Sequence, residues 1–498
     1  MATVTPDLHK NLINGKWVEA KSGQTMQSVN PATGDVLGLV PKSGREDVAA
    51  AVDAAKQAYP KWRKFPAPRR AEILYRAAEM LVQHKEDLAR LMTQEMGKVL
   101  AETRGDVQEA IDMTYFIAGE GRRLHGYTTP SEMPNKAAYC IRVPLGVVGV
   151  ITPWNFPMAI PSWKIVPALV CGNSVVFKPA THTPLVALRF AQILHDAGLP
   201  PGVLNVVTGD GKDVGDALVD HPDVAIISFT GSTETGLAIA EKCARAGKRV
   251  ALEMGGKNAA IVMDDADLDL ATDALIWSAF GTSGQRCTAC SRIITQRDVK
   301  SDLTERLVER AKALRLGNGL DPNTDVGPVV SDAQLHRIHD YVQIGQREGA
   351  RVLTGGARAS DGALSRGWFY SPTIFDQVDP GMRIAREEIF GPVTDVIAAK
   401  DLNEAIAILN GVEYGLSASI FTRDINRAMH AIDDIFTGIV YVNHGTIGAE
   451  VHLPFGGTKN TGNGHREGGL QVLDIFSEWK AVYIDYSGRL QRAQIDKD

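Results

Sequence analysis

Apolar positions along the chain recur with two different periods. Between residue 45 and about residue 124 they keep a helical spacing. Val48, Ala51, Val52 and Ala55 fall at i, i+3, i+4 and i+7, one face of an amphipathic helix. From Val143 the pattern changes to short β-branched runs at 147–151, 174–177, 203–207, 224–229 and 250–252, separated by helical stretches. Strands alternating with helices predict a parallel sheet of βαβ units. A helix is predicted over 267–280, with Asp265 or Asp267 as its cap and Gly281 as its stop. A second alternation follows, with helices near 300–313, 331–348 and 402–410 and strands at 370–375, 416–421 and 438–442. One short strand is predicted at 12–18. Another, at 478–486 in the tail, lies far enough from the rest to pair with a partner subunit.

Length and composition narrow this to a globular α/β protein. With 498 residues, 44% apolar and 22% charged, the chain is long enough for two or three domains and matches neither disordered nor fibrous sequences. No repeat and no low-complexity tract interrupts it. The net charge of −6 argues against nucleic acid or an anionic membrane as a partner. No apolar run approaches the roughly 18 residues of a membrane span, and the first residues lack a secretory pattern. Five cysteines (Cys140, Cys171, Cys243, Cys287 and Cys290) include one close pair, which reads as reduced thiols and a cytoplasmic location.

Several segments could carry chemistry. In GTSGQRCTAC (281–290), Cys287 sits in a turn just after a helix, and Arg286 beside it would favour the thiolate. The alternatives are a buried structural thiol or a redox pair with Cys290. Zinc would need more ligands at suitable spacing, and His336 and His339 read as solvated, so no metal is expected. Glu253 ends an apolar strand ahead of Gly255 and Gly256, where open α/β sheets place ligands, or it is a surface glutamate. In VITPWNFP (150–157), Asn155 is pinned between prolines and either serves an oxyanion or caps backbone. Lys178 ends a strand, and Thr230-Gly231-Ser232 links a strand to a helix whose N-terminus suits phosphate. Glycines 209, 211 and 215 do not reproduce the dinucleotide fingerprint. EEIFGP (387–392) and PFGG (454–457) are turn-rich and carry one aromatic each.

Taken in order, PWNFP, KPATHTP, FTGSTETG, LEMGGKN, GQRC, EEIFGPV and PFGG resemble the aldehyde dehydrogenase superfamily over roughly residues 10–485, and Glu253 precedes Cys287 by the family's 34 residues. The resemblance implies an α/β fold with a Rossmann-type cofactor domain (1–126 and 146–255), an α/β catalytic domain (256–476) and a small β oligomerisation extension (127–145 and 477–498). It implies NAD(P)⁺-dependent oxidation of an aldehyde to a carboxylic acid through a cysteine thiohemiacetal and thioester. Cys287 is then the nucleophile, Asn155 the oxyanion donor and Glu253 a mobile general base for thioester hydrolysis. Trp154, Lys178, Thr181, Ser232, Glu388 and Phe390 are the implied cofactor contacts. Glu109, Phe156, Trp163, Arg286 and Phe455 are the implied substrate contacts. Thr181 stands where many NAD-preferring members carry a glutamate that would repel a 2′-phosphate, so NADP or NAD is the expected cofactor. Loop features around 447–457, with 107–112 and Arg286, look most like the α-aminoadipic semialdehyde branch and imply a carboxylate-bearing semialdehyde. The expected assembly is a homodimer or homotetramer. Rival readings are an acylating relative that passes the thioester to coenzyme A, a cofactor-independent cysteine esterase or hydrolase, and a non-catalytic crystallin-like relative.

Overall fold

The protein is described here from a computed structural model covering residues 6–495. The outermost residues of the expected domains, 1–5 and 496–498, lie outside the described residues. Two seven-stranded sheets organise the chain. In the first, five parallel strands run in the order Arg249–Glu253, Val224–Thr230, Val147–Ile151, Ser174–Lys178 and Leu204–Val206, and the hairpin Asn11–Ile13 and Lys16–Val18 closes one side. In the second, Thr373–Asp376, Val393–Ala399, Cys290–Gln296, Asn258–Val262, Ser417–Phe421 and Ile439–Val442 are parallel, and Arg351–Thr354 adds an antiparallel edge.

Both sheets are covered on both faces, which is why their strands read as continuous apolar runs. Val148, Val150, Val175 and Phe177 pack under the helices Ala159–Cys171 and Pro184–Asp196. Their strand neighbours Val147, Ile151 and Val176 meet Val48 and Val52 of the helix Arg45–Trp62 on the opposite face. In the second sheet Ile261 and Ile294 face Ile338, while Ala260 and Ile293 face Leu275 and Leu303.

The predicted elements hold with three corrections, and the tail strand lies at the edge of a sheet formed within its own chain. The expected strand at 12–18 is a hairpin, because Asn14 and Gly15 both take positive φ (51° and 71°), the signature of a two-residue turn. The helical stretch 45–124 is four helices, Arg45–Trp62, Ala67–Gln83, Lys85–Met96 and Leu100–Glu120. Pro66 opens the second, and left-handed Gly97 ends the third. The strand at 370–375 is two pieces, since Pro372 has no N–H to give a ladder. Phe369–Tyr370 pairs with Arg358–Ala359, and only Thr373–Asp376 enters the sheet. The tail strand Ser477–Asp485 pairs along all nine residues with Lys136–Pro144 of its own chain, in a three-stranded sheet with Tyr127–Pro130. Of the two expected caps, Asp267 caps the helix Leu268–Phe280, whereas Asp265 accepts from Thr422 and the backbone N–H of Arg423.

Candidate active site

The C-terminal ends of the first sheet deliver side chains to one place, as open α/β sheets do. After Val147–Ile151 the chain turns through Trp154, Asn155 and Phe156. Ser174–Lys178 ends on Lys178, Val224–Thr230 opens into Ser232, and Arg249–Glu253 ends on Glu253. Cys287 arrives from the second sheet, on the segment leading into Cys290–Gln296. Asn258 fixes that segment by donating Nδ2 to the carbonyls of Cys287 (2.7 Å) and Ala289 (2.9 Å).

Two cavities meet at Cys287. An inner one of about 120 Å³ is lined by Glu253 and Cys287 together with Glu109, Phe156, Trp163, Arg286 and Phe455. An outer groove of about 390 Å³ is lined by Asn155 and Cys287 together with Trp154, Lys178, Thr181, Ser232, Glu388 and Phe390. Every residue implied by the family resemblance as catalytic, cofactor or substrate contact therefore borders one of the two, and Cys287 borders both.

A profile of the Aldehyde dehydrogenase family matches residues 17–482. The chain belongs to this family. It is 43% identical over 486 residues to the alpha-ketoglutaric semialdehyde dehydrogenase of Bacillus subtilis, spanning 97% of this chain and all of that one. It is also 43% identical to malonate-semialdehyde dehydrogenase 3 of Geobacillus kaustophilus, over 96% of this chain and 98% of that one. Betaine aldehyde dehydrogenase of Staphylococcus aureus, solved with NAD⁺, superposes with a TM-score of 0.95 at 35% identity, covering 97% and 95% of the two chains. The enzyme is thus an NAD(P)⁺-dependent aldehyde dehydrogenase with the family's fold. The first two relatives are semialdehyde dehydrogenases, and neither belongs by name to the α-aminoadipic branch.

The groove fits a dinucleotide. Ser232 caps the 13-residue helix Thr233–Arg245 by accepting from the N–H of Thr235, which turns the helix N-terminus and its partial positive charge towards the groove. Lys178 adds a buried cation that donates to the Pro179 carbonyl (3.1 Å); burial lowers its pKa to about 8. The Thr181 hydroxyl donates to Gly209 O at 3.4 Å. At the other end, Glu388 accepts from Gly256 N–H (3.0 Å) and burial raises its pKa. A Cβ on Gly255 would meet that carboxylate and make the Glu388 side chain shift. Phe390 stands edge-on to Trp154 (5.4 Å) with φ 59°, and its carbonyl accepts from Gln334 Nε2 (2.8 Å).

The inner cavity differs from the sequence reading in one respect. Arg286 does not act on the thiol. Its guanidinium donates to Glu102 (2.9 Å) and to Thr282 Oγ1 (3.0 Å), and lies over the rings of Phe156 and Trp277. Burial, followed by the carboxylates of Glu253, Glu388 and Glu109, pushes the Cys287 thiol up to about 12, so at rest it is protonated. Burial and then Asp106 push Glu109 up to about 8. Glu253 is buried, its Oε1 has no partner, and burial followed by the nearby Glu467 raises it well above the ordinary carboxylate range.

Sequence reasoning missed a buried charged lining. Lys164 pairs with Glu467 beside Glu253. Lys98 donates to Asp106 (2.7 Å) and to the backbone carbonyl of Asn155 (2.9 Å), and its ammonium sits 3.8 Å from the centre of the Phe156 ring. One cation in the apolar helix Ala159–Cys171 was a readable signal for Lys164. Nothing in EMGKVL marks Lys98 as buried.

Proposed function

We propose that this aldehyde dehydrogenase oxidises a short, carboxylate-bearing semialdehyde, with Cys287 as nucleophile, Asn155 as oxyanion donor and Glu253 as general base. The observation that carries the reading is the position of Cys287 at the meeting point of the two cavities, with Glu253 in one and the dinucleotide-shaped groove on the other side. Sγ attacks the aldehyde carbon as the thiol proton passes to water in the cavity. The Asn155 side chain and the Cys287 N–H donate to the oxygen that becomes negative. A dinucleotide held in the groove supplies the two-electron acceptor for the oxidation. Glu253, in its carboxylate form, then takes a proton from water as the water oxygen adds to the thioester carbonyl; the carbon–sulfur bond breaks, the acid leaves, and the sulfur takes the proton back. A glutamate at this position also distinguishes hydrolysis from transfer to coenzyme A.

Two features support an acidic substrate. Arg286 places the cavity's cation at its wall, and Glu109, with its pKa near 8, is mostly neutral at pH 7 and does not repel a second carboxylate. The relatives that act on alpha-ketoglutaric and malonate semialdehydes agree with this. Thr181 supplies no negative charge against a 2′-phosphate, so NADP⁺ is accepted alongside NAD⁺. The cofactor and catalytic units and the β extension follow the boundaries given above. The extension exposes Tyr127, Trp479 and Tyr483, which supports a homodimer or homotetramer. Five unpaired cysteines support a reducing, cytoplasmic setting, and among the described residues no helix is long and apolar enough to cross a membrane.

The test is a panel of semialdehydes and neutral aldehydes assayed by reduced-nicotinamide absorbance with each cofactor. Acidic semialdehydes should lead in kcat/KM, and Arg286→Ala should erase that lead. An unchanged preference in the variant removes Arg286 as the anchor, and oxidation surviving complete alkylation of Cys287 removes the mechanism.

A further inference from the structure

The turn that leads to Cys287 is conformationally costly. Thr282 (φ 54°, ψ 29°), Ser283 (φ 55°, ψ 36°) and Gly284 (φ 67°) are three successive residues in the left-handed region, and the first is β-branched. Such a conformation persists only where surrounding groups over-determine it. Ser283 Oγ donates to Gly327 O (2.7 Å), and Gln285 accepts from Val330 N–H (3.0 Å) while donating to Thr282 O (3.2 Å). Glu102 provides the densest restraint. Both of its carboxylate oxygens accept from Thr282 N–H (2.9 Å each), one accepts from Thr282 Oγ1 (3.2 Å) and the other from Arg286 (2.9 Å). One side chain thus grips residues five and one positions ahead of the thiol.

Glu102 lies on the helix Leu100–Glu120, one turn before Asp106. At i and i+4 the two carboxylates share a face. Asp106 accepts from Ala159 N–H (2.7 Å) and from Lys98 Nζ, and Lys98 in turn holds the Asn155 carbonyl. The same helix therefore reaches both the cysteine turn and the asparagine turn. Near-attack geometry tolerates little displacement, and a misplacement of about 1 Å can cost ~10²-fold in rate.

We propose that Glu102 is a positioning residue: by clamping Thr282 and Arg286 to the helix that also fixes Asn155, it sets where the Cys287 sulfur stands relative to the oxyanion donor. The inference rests on the reading of Cys287 as nucleophile. Removal of Glu102 frees the left-handed turn, and the loss falls on kcat rather than on cofactor binding.

The experiment compares Glu102→Ala, Glu102→Gln and Glu102→Ala combined with Thr282→Gly in the full-length enzyme. Glycine adopts the left-handed conformation without a Cβ penalty and needs no clamp. In Glu102→Ala, kcat should fall ~10²-fold while the cofactor KM moves less than about twofold. Adding Thr282→Gly should restore at least about tenfold of the loss. Glu102→Gln keeps the side-chain size and one acceptor oxygen and should fall in between; it decides the matter if the alanine variant does not fold. The proposal is overturned if Glu102→Gln keeps kcat within about threefold of wild type, or if Thr282→Gly restores nothing to a folded Glu102→Ala. Alkylation of Cys287 in wild type, run in parallel, separates the two readings. Abolished oxidation leaves the nucleophile standing whatever the variants do, whereas surviving oxidation removes the nucleophile and this inference with it.

Discussion

Replacing Asn155 by alanine tests the proposed oxyanion donor without disturbing the turn that carries it. The turn carrying Asn155 is held through its backbone, since Lys98 donates to the Asn155 carbonyl at 2.9 Å and Asp106 anchors both Lys98 and the Ala159 N–H. None of these contacts uses the Asn155 side chain, and its Oδ1 has no hydrogen-bond partner. The variant therefore removes the side-chain amide and leaves the turn in place. Loss of one preorganised donor costs about 10²–10³-fold in kcat, or about 2.7–4 kcal/mol of transition-state stabilisation. Asn155 is only 2% exposed, so water does not readily replace the missing N–H, and the larger part of that range is expected. Steady-state kinetics with saturating cofactor and aldehyde gives kcat, cofactor fluorescence titration checks the groove, and thermal melting checks the fold. A loss below about threefold with an intact fold would show that the charge on the aldehyde oxygen is stabilised elsewhere.

Three other outcomes follow from the same geometry. Glu253→Gln should release a burst of reduced cofactor in the first turnover and then stall, because it spares thioester formation and removes the base; a lost burst would move Glu253 into the first half-reaction. Thr181→Glu should lower kcat/KM for NADP⁺ by about tenfold or more and leave NAD⁺ within about threefold, since a carboxylate roughly 4 Å from a phosphate costs about 1–4 kcal/mol per unit charge between water and a protein surface; equal losses with both cofactors would refute the assignment. Iodoacetamide labelling of Cys287 in the enzyme without cofactor, followed by mass spectrometry, should keep accelerating with pH through about pH 9 without a plateau, because the thiol is pushed up to about 12. Above about pH 8 Glu109 becomes charged and disfavours the thiolate further, so the rise there should be shallower in wild type than in Glu109→Gln. A plateau below pH 8 would mean that the resting thiol is already activated.

Much of the fold was legible because the strands buried on both faces leave continuous β-branched runs, and because Asp267 caps its helix as its side-chain chemistry dictates. Asn14-Gly15 was equally readable as a turn, yet the alternation on either side masks it as a single strand. The segments carrying the site were legible as a set of turns at strand ends. Their convergence was not, since Cys287 and Glu253 come from different sheets and are joined only by tertiary packing. Arg286 shows the limit most clearly. Adjacency in sequence set a cation beside the thiol, whereas Glu102, 184 residues away in the chain, takes up its charge.

The charge balance around Cys287 constrains how the reaction can begin. Burial and the neighbouring carboxylates raise the Cys287 thiol, so only a small fraction of it is ionised at neutral pH. Neither Arg286, which is paired with Glu102, nor Lys98, which is paired with Asp106, is among the groups that lower the thiol. Burial also raises Glu253 and Glu109 above the ordinary carboxylate range. Attack must therefore couple proton loss to carbon–sulfur bond formation, with the developing charge passing to the aldehyde oxygen and the Asn155 donor rather than resting on sulfur. On this account the donor, and not a preformed thiolate, is where the enzyme gains its rate. That is why the loss in Asn155→Ala should fall on kcat while the alkylation rate of the free enzyme at fixed pH stays within about twofold of wild type.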